Sequence, residues 1–237
     1  GGEARGAVWK TVWQGCLALG SFLTAFLVGV VFANSFRGIP IDGEGIYHGT
    51  LLTLLSPYAL VGGLLFSLLF LLHGALWLAV KTDGPLQMRS VRSASRIWPV
   101  LMVTAAAFLI LCAFQTELYT IYLKRPVLLI IPLVAVAALF MTRVWIERAE
   151  CFKAWGSSCA SIFSIVLFGV VGLYPLLLPS SLERAFSLTV HYSASSPMTL
   201  KIMLGVVLVF IPIIILYQGW VYRFFGGKVD SRAYAKH

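Results

Sequence analysis

Residues 65–84 read LFSLLFLLHGALWLAVKTDG, an apolar run broken by one histidine and closing on a Lys-Thr-Asp-Gly turn. A stretch this long and apolar is read as a helix crossing a bilayer, since about 20 helical residues span roughly 30 Å of hydrocarbon. His73 is the only Asp, Glu, Lys, Arg or His in the interior of any long apolar run of the chain. An ionisable group at membrane depth costs free energy to bury and is a functional candidate by default. Any redox or proton chemistry of this chain would therefore have to involve His73.

Composition leads to the same class. The chain is 59% hydrophobic and 11% charged, with mean hydropathy +0.91, far from the half-apolar, quarter-charged profile of soluble domains. The expected fold is an all-α integral membrane bundle. Net charge +9 would suggest nucleic acid in a soluble protein, but here the basic residues lie between apolar runs, where they set topology. No nucleic-acid partner is expected. Cys16, Cys112, Cys151 and Cys159 show no CxxC or paired spacing and are read as small packed side chains. No signal-peptide pattern precedes the first span, and the chain opens on Gly1; it reads as an internal segment of a longer protein.

Six runs are long enough to span: about 12–36, 57–80, 97–117, 126–146, 156–178 and 198–223, within one transmembrane domain covering 1–237. Pro57, Pro99 and Pro126 are expected in first turns, where a missing N–H costs nothing, with Ser56 as an N-cap. Pro175 and Pro212 are expected deeper, kinking their helices. Gly62, Gly63 and Gly74 would allow close helix approach. Thirteen basic residues fall on one side and five (Arg37, Lys124, Arg125, Arg184 and Lys201) on the other. The positive-inside rule then puts both ends of the chain in the cytoplasm. Residues 37–56 should form a turn and a short interfacial helix on the outer face, and 179–197 a second, serine-rich outer loop.

Metal or haem ligation needs converging ligands. His48 and His191 lie in outer loops and His237 in the tail, so no second histidine shares the depth of His73, about seven residues or roughly 10 Å from Lys81. A His/Met pair with Met102 is geometrically conceivable. The plainer role for His73 is packing, on a helical face with Phe66, Phe70 and Trp77; it stays a weak cofactor-binding candidate. Pumping would need carboxylates within the spans. Glu117 and Glu147 sit at helix ends, Glu117 beside Lys124 and Arg125, and the other acids are in loops or the tail. Hydrolytic, zinc, dinucleotide and phosphate-loop patterns are absent. No catalytic and no metal-binding residue is expected. One alternative is a transporter or channel half with a midplane site at the proline-kinked helices, which the lack of embedded charge weighs against.

Five segments, in order, carry a family resemblance: FANSFRGIP at 32–40, LTLLSPYAL at 52–60, LLHGALWLAVKTDG at 71–84, SASSPMTLKIML at 193–204, and FIPIIILYQGWVYRFF at 210–225. Together they resemble subunit II of cytochrome bd ubiquinol oxidase. The resemblance implies the fourth to ninth of nine helices, with the N-terminal third and its membrane-embedded acids missing. It implies a heterodimer with subunit I in a bacterial or archaeal plasma membrane. In that complex quinol is oxidised and dioxygen reduced to water, with haem b and haem d in the partner. Assembly and haem retention would be the contribution of this chain, which would bind no cofactor itself. Tyr47, Trp77, Tyr174, Tyr217, Trp220 and Tyr222 read as interfacial anchors, against which a structural quinone is the remaining partner to consider.

Overall fold

In hydrocarbon no water can pair a backbone amide, so an apolar chain satisfies its own N–H and C=O groups by folding as helix. A computed structural model describes residues 2–224; Gly1 and 225–237, with the tail residues Lys228, Asp230, Arg232, Lys236 and His237, lie outside them. Among the described residues six helices are long and apolar enough to cross a membrane. They are α1 (Gly2–Arg37), α3 (Pro57–Lys81), α4 (Pro85–Gln115), α6 (Ile130–Glu147), α7 (Cys151–Leu173) and α9 (Pro197–Phe224). A 3-10 turn, Pro126–Leu129, leads into α6. Short elements join them on the face where α1 ends: α2 (Leu51–Leu54), α5 (Tyr119–Lys124), the antiparallel pair β1 (Leu176–Leu178) and β2 (Leu188–Thr189), and α8 (Val190–Ser193).

Several helix ends differ from the sequence expectation: α1 begins at Gly2 rather than near 12, and α7 at Cys151 rather than near 156. Pro57 and Pro126 open their elements, and Ser56 Oγ accepts from the Ala59 amide at 3.3 Å. Pro99, however, lies inside α4, which begins at Pro85 rather than near residue 97. Gly84, at φ +71°, makes the turn, and Pro85 pre-sets the first helical φ. The basic stretch that follows stays helical because Ser90 and Ala94 extend the buried stripe formed by Leu101, Thr104, Phe108 and Cys112. Conversely, α7 ends at Leu173, so Pro175 lies beyond the helix and not within it. Proline holds the preceding Tyr174 in an extended conformation, at ψ 135°, which stops the helix. Pro212 does sit inside α9.

The centre of the bundle is α3, which packs against α1, α4 and α7, while α6 packs on α7. Its closest neighbour is α1. A Cβ on Gly29 would press on the Gly62 carbonyl oxygen and lie 2.8 Å from Gly63 Cα, and one on Gly62 would lie 2.6 Å from Ala33 Cβ. Here two helices meet backbone to backbone, the usual consequence of small residues at a membrane helix crossing. Gly74, grouped with these from sequence, has nothing within 4 Å of an added Cβ and plays no part in packing. Side chains then tie neighbouring elements through carbonyls. Asn34 Nδ2 donates to Leu54 O at 2.8 Å, Trp98 Nε1 to Leu139 O at 2.8 Å, and Tyr122 OH to Phe168 O at 2.6 Å. Buried hydroxyls of Ser67, Thr104, Thr142 and Ser161 donate to the carbonyl four residues back, so burial leaves none of them unpaired. By contrast, α9 has no buried residue, and its Tyr222 ring meets Trp77 edge-on at 5.6 Å.

Cys112 is fully buried, its Sγ 3.1 Å from Tyr58 OH, as a packed thiol should be. Cys16 is not packed: it is exposed on α1.

Gly29→Ala should destabilise the bundle by about 1–3 kcal/mol, because the added methyl meets backbone that cannot move aside. Gly74→Ala should instead gain about 0.5–1 kcal/mol from helix propensity. Unfolding of the two variants in mixed micelles, followed by circular dichroism, measures both.

Candidate functional site

His73 lies two turns from the end of α3 and is half-buried, directed at α7. Its Nδ1 is 2.8 Å from Ser158 Oγ. Ser158 Oγ donates its one proton to Trp155 O at 2.7 Å, so it must accept from the imidazole. That assigns the proton to Nδ1 and leaves Nε2, in the neutral ring, as an acceptor. Ser158 itself is buried, which makes this a polar contact inside an apolar helix pair.

Aromatic rings enclose the pair. The His73 ring is 5.8 Å from Trp155, and Trp155 is 5.0 Å from Trp77. The Lys81 ammonium lies 5.1 Å over Trp77, where a ring face attracts a cation at the membrane boundary. Trp155 Nε1 is buried with no hydrogen-bond partner. The Phe66–Phe70–His73–Trp77 stripe is split between two neighbours. Phe66 meets Phe32 of α1 at 4.7 Å, whereas His73 and Trp77 meet Trp155 of α7. Two partners of His73, Ser158 and Trp155, were not singled out from sequence, although the serines in the otherwise apolar run WGSSCASIFS (155–164) mark that face of α7.

The donor set does not suit a haem. A bis-axial haem at His73 needs Nε2 and a second ligand facing it across the ring plane. The groups around His73 are Ser158, Trp155 and Trp77, none of which is an axial ligand. Met102 belongs to α4, where it packs beside the core. No group of three or more His, Cys, Asp or Glu residues among the described ones converges to hold a metal ion.

The other candidates lie on the loop face. His48 Nε2 is 2.6 Å from Asp42 Oδ2, and Asp42 Oδ1 accepts from the Glu44 and Ile46 amides at 2.9 Å each. The His48 hydrogen bond first, then the Ile46 amide, holds the Asp42 carboxyl below its ordinary value of 3.8. Bridge Ile41–Tyr47 closes this turn on itself, and bridge Ile39–Ser180 joins it to the 179–197 loop. Glu117, expected beside Lys124 and Arg125, forms its ion pair with Arg184.

Ser158→Ala should cost about 1–3 kcal/mol by stranding the Nδ1–H of His73. A double-mutant cycle with His73→Leu should then show a coupling of at least about 0.5 kcal/mol, measured by the same unfolding assay. The Asp42 turn carries a pH signature. A lowered carboxyl pKa stabilises the fold above the unfolded value and loses that contribution as pH falls through the lowered one. Protection of the Glu44 and Ile46 amides, measured against the unstructured exchange rate at each pH, should hold at pH 5 and fall as pH drops through the lowered carboxyl value, whereas Asp42→Ala should lack it throughout.

Comparison with known proteins places this arrangement in a family. Residues 2–225 match the family described as "Cytochrome bd terminal oxidase subunit II". Cytochrome bd ubiquinol oxidase subunit 2 of Bacillus subtilis is 30% identical over 97% of this chain and 69% of its own length. The probable cytochrome oxidase subunit 2 of Haemophilus influenzae is 26% identical, and cytochrome bd-I ubiquinol oxidase subunit 2 of Escherichia coli K12 is 25% identical, each over 94% of this chain and 67% of the relative. A match that runs from the first turns of α1 to the last turn of α9 takes in all six long helices, and the chain belongs to the cytochrome bd terminal oxidase subunit II family.

Proposed function

We propose that this chain is the accessory membrane subunit of a cytochrome bd-type quinol:dioxygen oxidoreductase, supporting assembly and haem retention in a catalytic partner. The observation that carries the proposal is the family match across residues 2–225. The surroundings of His73 support it: the sole ionisable side chain deep in an apolar run is hydrogen-bonded to a serine and stacked near tryptophan rings. Haem b and haem d are therefore assigned to the partner, subunit I, and quinol to the complex. The exposed apolar faces of α1 and α9 are broad enough to meet both lipid and another membrane subunit. The complex would sit in a bacterial or archaeal plasma membrane with the ends of this chain on the cytoplasmic side, following the thirteen-to-five bias in basic residues. The transporter alternative loses one of its two kinked helices, because Pro175 lies outside α7.

The chain purified alone should show no haem absorbance, and co-expression with the family's subunit I should yield a complex carrying b- and d-type spectra and oxidising quinol. A stoichiometric b-type spectrum in the chain alone, lost in His73→Ala, would overturn the assignment. Substrate flux in liposomes containing this chain without an oxidase partner would do the same.

A further inference from the structure

The positive-inside bias leaves five basic residues on the loop face. Four of them, Arg37, Lys124, Arg125 and Arg184, line one cavity of about 660 Å3, a size within the roughly 300–1,000 Å3 of ligand sites. Residues this scarce on one face would not be expected to gather in one hollow without cause. Glu117 is the single carboxylate on the wall, and its ion pair engages Arg184. No ion pair among the described residues engages Arg37, Lys124 or Arg125, so the cavity keeps a net excess of three positive charges.

Its position and its floor narrow the ligand. The walls are the last turn of α1, the end of α4, one side of α5, the end of α7 and part of the loop segment 174–187, so the cavity lies at the depth where spans give way to loops. Much of the remaining lining is apolar. Phe36 and Leu118 are buried floor residues, while the Phe114 ring, 83% exposed, stands at the wall. Thr120 and Gln115 add uncharged hydrogen-bonding groups to the lining. A small hydrophilic anion would use the cations and leave the apolar floor wet. A neutral lipid would use the floor and leave three cations unmatched. An anionic amphiphile satisfies both.

The geometry points to a binding site for an anionic phospholipid on the loop face, with its phosphate held by Arg37, Lys124 and Arg125 and its glycerol and proximal acyl carbons against Phe36, Phe114 and Leu118. Guanidinium groups suit phosphate oxygens through paired N–H donors, and lysine adds a point charge. Basic pockets between membrane helices are a recurrent way of holding acidic headgroups. The Glu117–Arg184 pair sets the strength of the site by withholding one guanidinium from the phosphate.

The test uses the full-length chain, purified together with any subunit it assembles with, in nanodiscs containing equal phosphatidylglycerol and phosphatidylcholine. Native mass spectrometry reads the lipid retained. Wild type should retain phosphatidylglycerol in preference. K124Q/R125Q should weaken that preference by about fivefold or more, since each basic residue near an anionic surface contributes on that order. Lys201→Gln, on the same face but outside the cavity, should leave it unchanged. Glu117→Gln should raise retention by freeing Arg184, a gain that a misfolded variant could not mimic. Equal retention of the two lipids by wild type, or an unaltered preference in K124Q/R125Q, would overturn the proposal. So would loss of bound phosphatidylglycerol to millimolar inorganic phosphate, which would assign the cavity to the free anion.

Discussion

Contact between the backbones of α1 and α3 at Gly29, Gly62 and Gly63 is the constraint on which the rest of the bundle depends. Between apolar helices in lipid there is little hydrophobic gain from association, so close packing must supply it. The three glycines let α3 sink against α1, and Phe26, Phe32 and Ala33 close around the crossing. With that face occupied, the remaining faces of α3 meet α4 and α7. The orientation of His73 follows from this. A helix pinned by Gly62 and Gly63 on one side carries residue 73 toward α7, where Ser158 and Trp155 receive it.

That orientation decides how the one deep ionisable group should be understood. Isolation in sequence made His73 the candidate for chemistry. In the folded chain its Nδ1–H is spent on a serine that has already given its own proton to a backbone carbonyl. The network is local and runs between two helices, and among the described residues its hydrogen bonds join only His73, Ser158 and the Trp155 carbonyl. It ties α3 to α7 through one polar contact and a set of rings. The loop face is the opposite case: individually unremarkable charges become a site only when α1, α5 and the 179–197 loop are brought together.

Much of the architecture could be read from the chain, because the property that selects membrane helices is local. Six apolar runs gave six long helices, and Ser56-Pro57 marked a start through a cap and a missing N–H. Pro99 and Pro175 show where local reading stopped. Both are prolines at the margin of an apolar run, yet one lies within a helix and the other beyond one. For Pro99 the outcome rested on whether the basic turns before it had a surface to pack on, and Ser90 and Ala94 gave them one. Pro175 itself ends α7 by holding Tyr174 extended, and the course of the chain after it follows the pairing of Leu176–Leu178 with Leu188–Thr189, a contact distant in sequence. Gly74 failed as a packing residue for a similar reason: it is small, but no helix lies on its side of α3.

By itself, then, the sequence determined the class, the number of long apolar helices and the family, since hydrophobic length and motif order require no knowledge of neighbours. Tertiary structure alone decided which residues meet. Ser158 and Trp155 are 85 and 82 positions from His73, and the four cations of the loop-face cavity come from three separate segments. The physical reason is that side-chain hydrogen bonds and charge clusters act over a few ångströms, and only the packing of α3 against α1 and α7 brings such distant positions within that range.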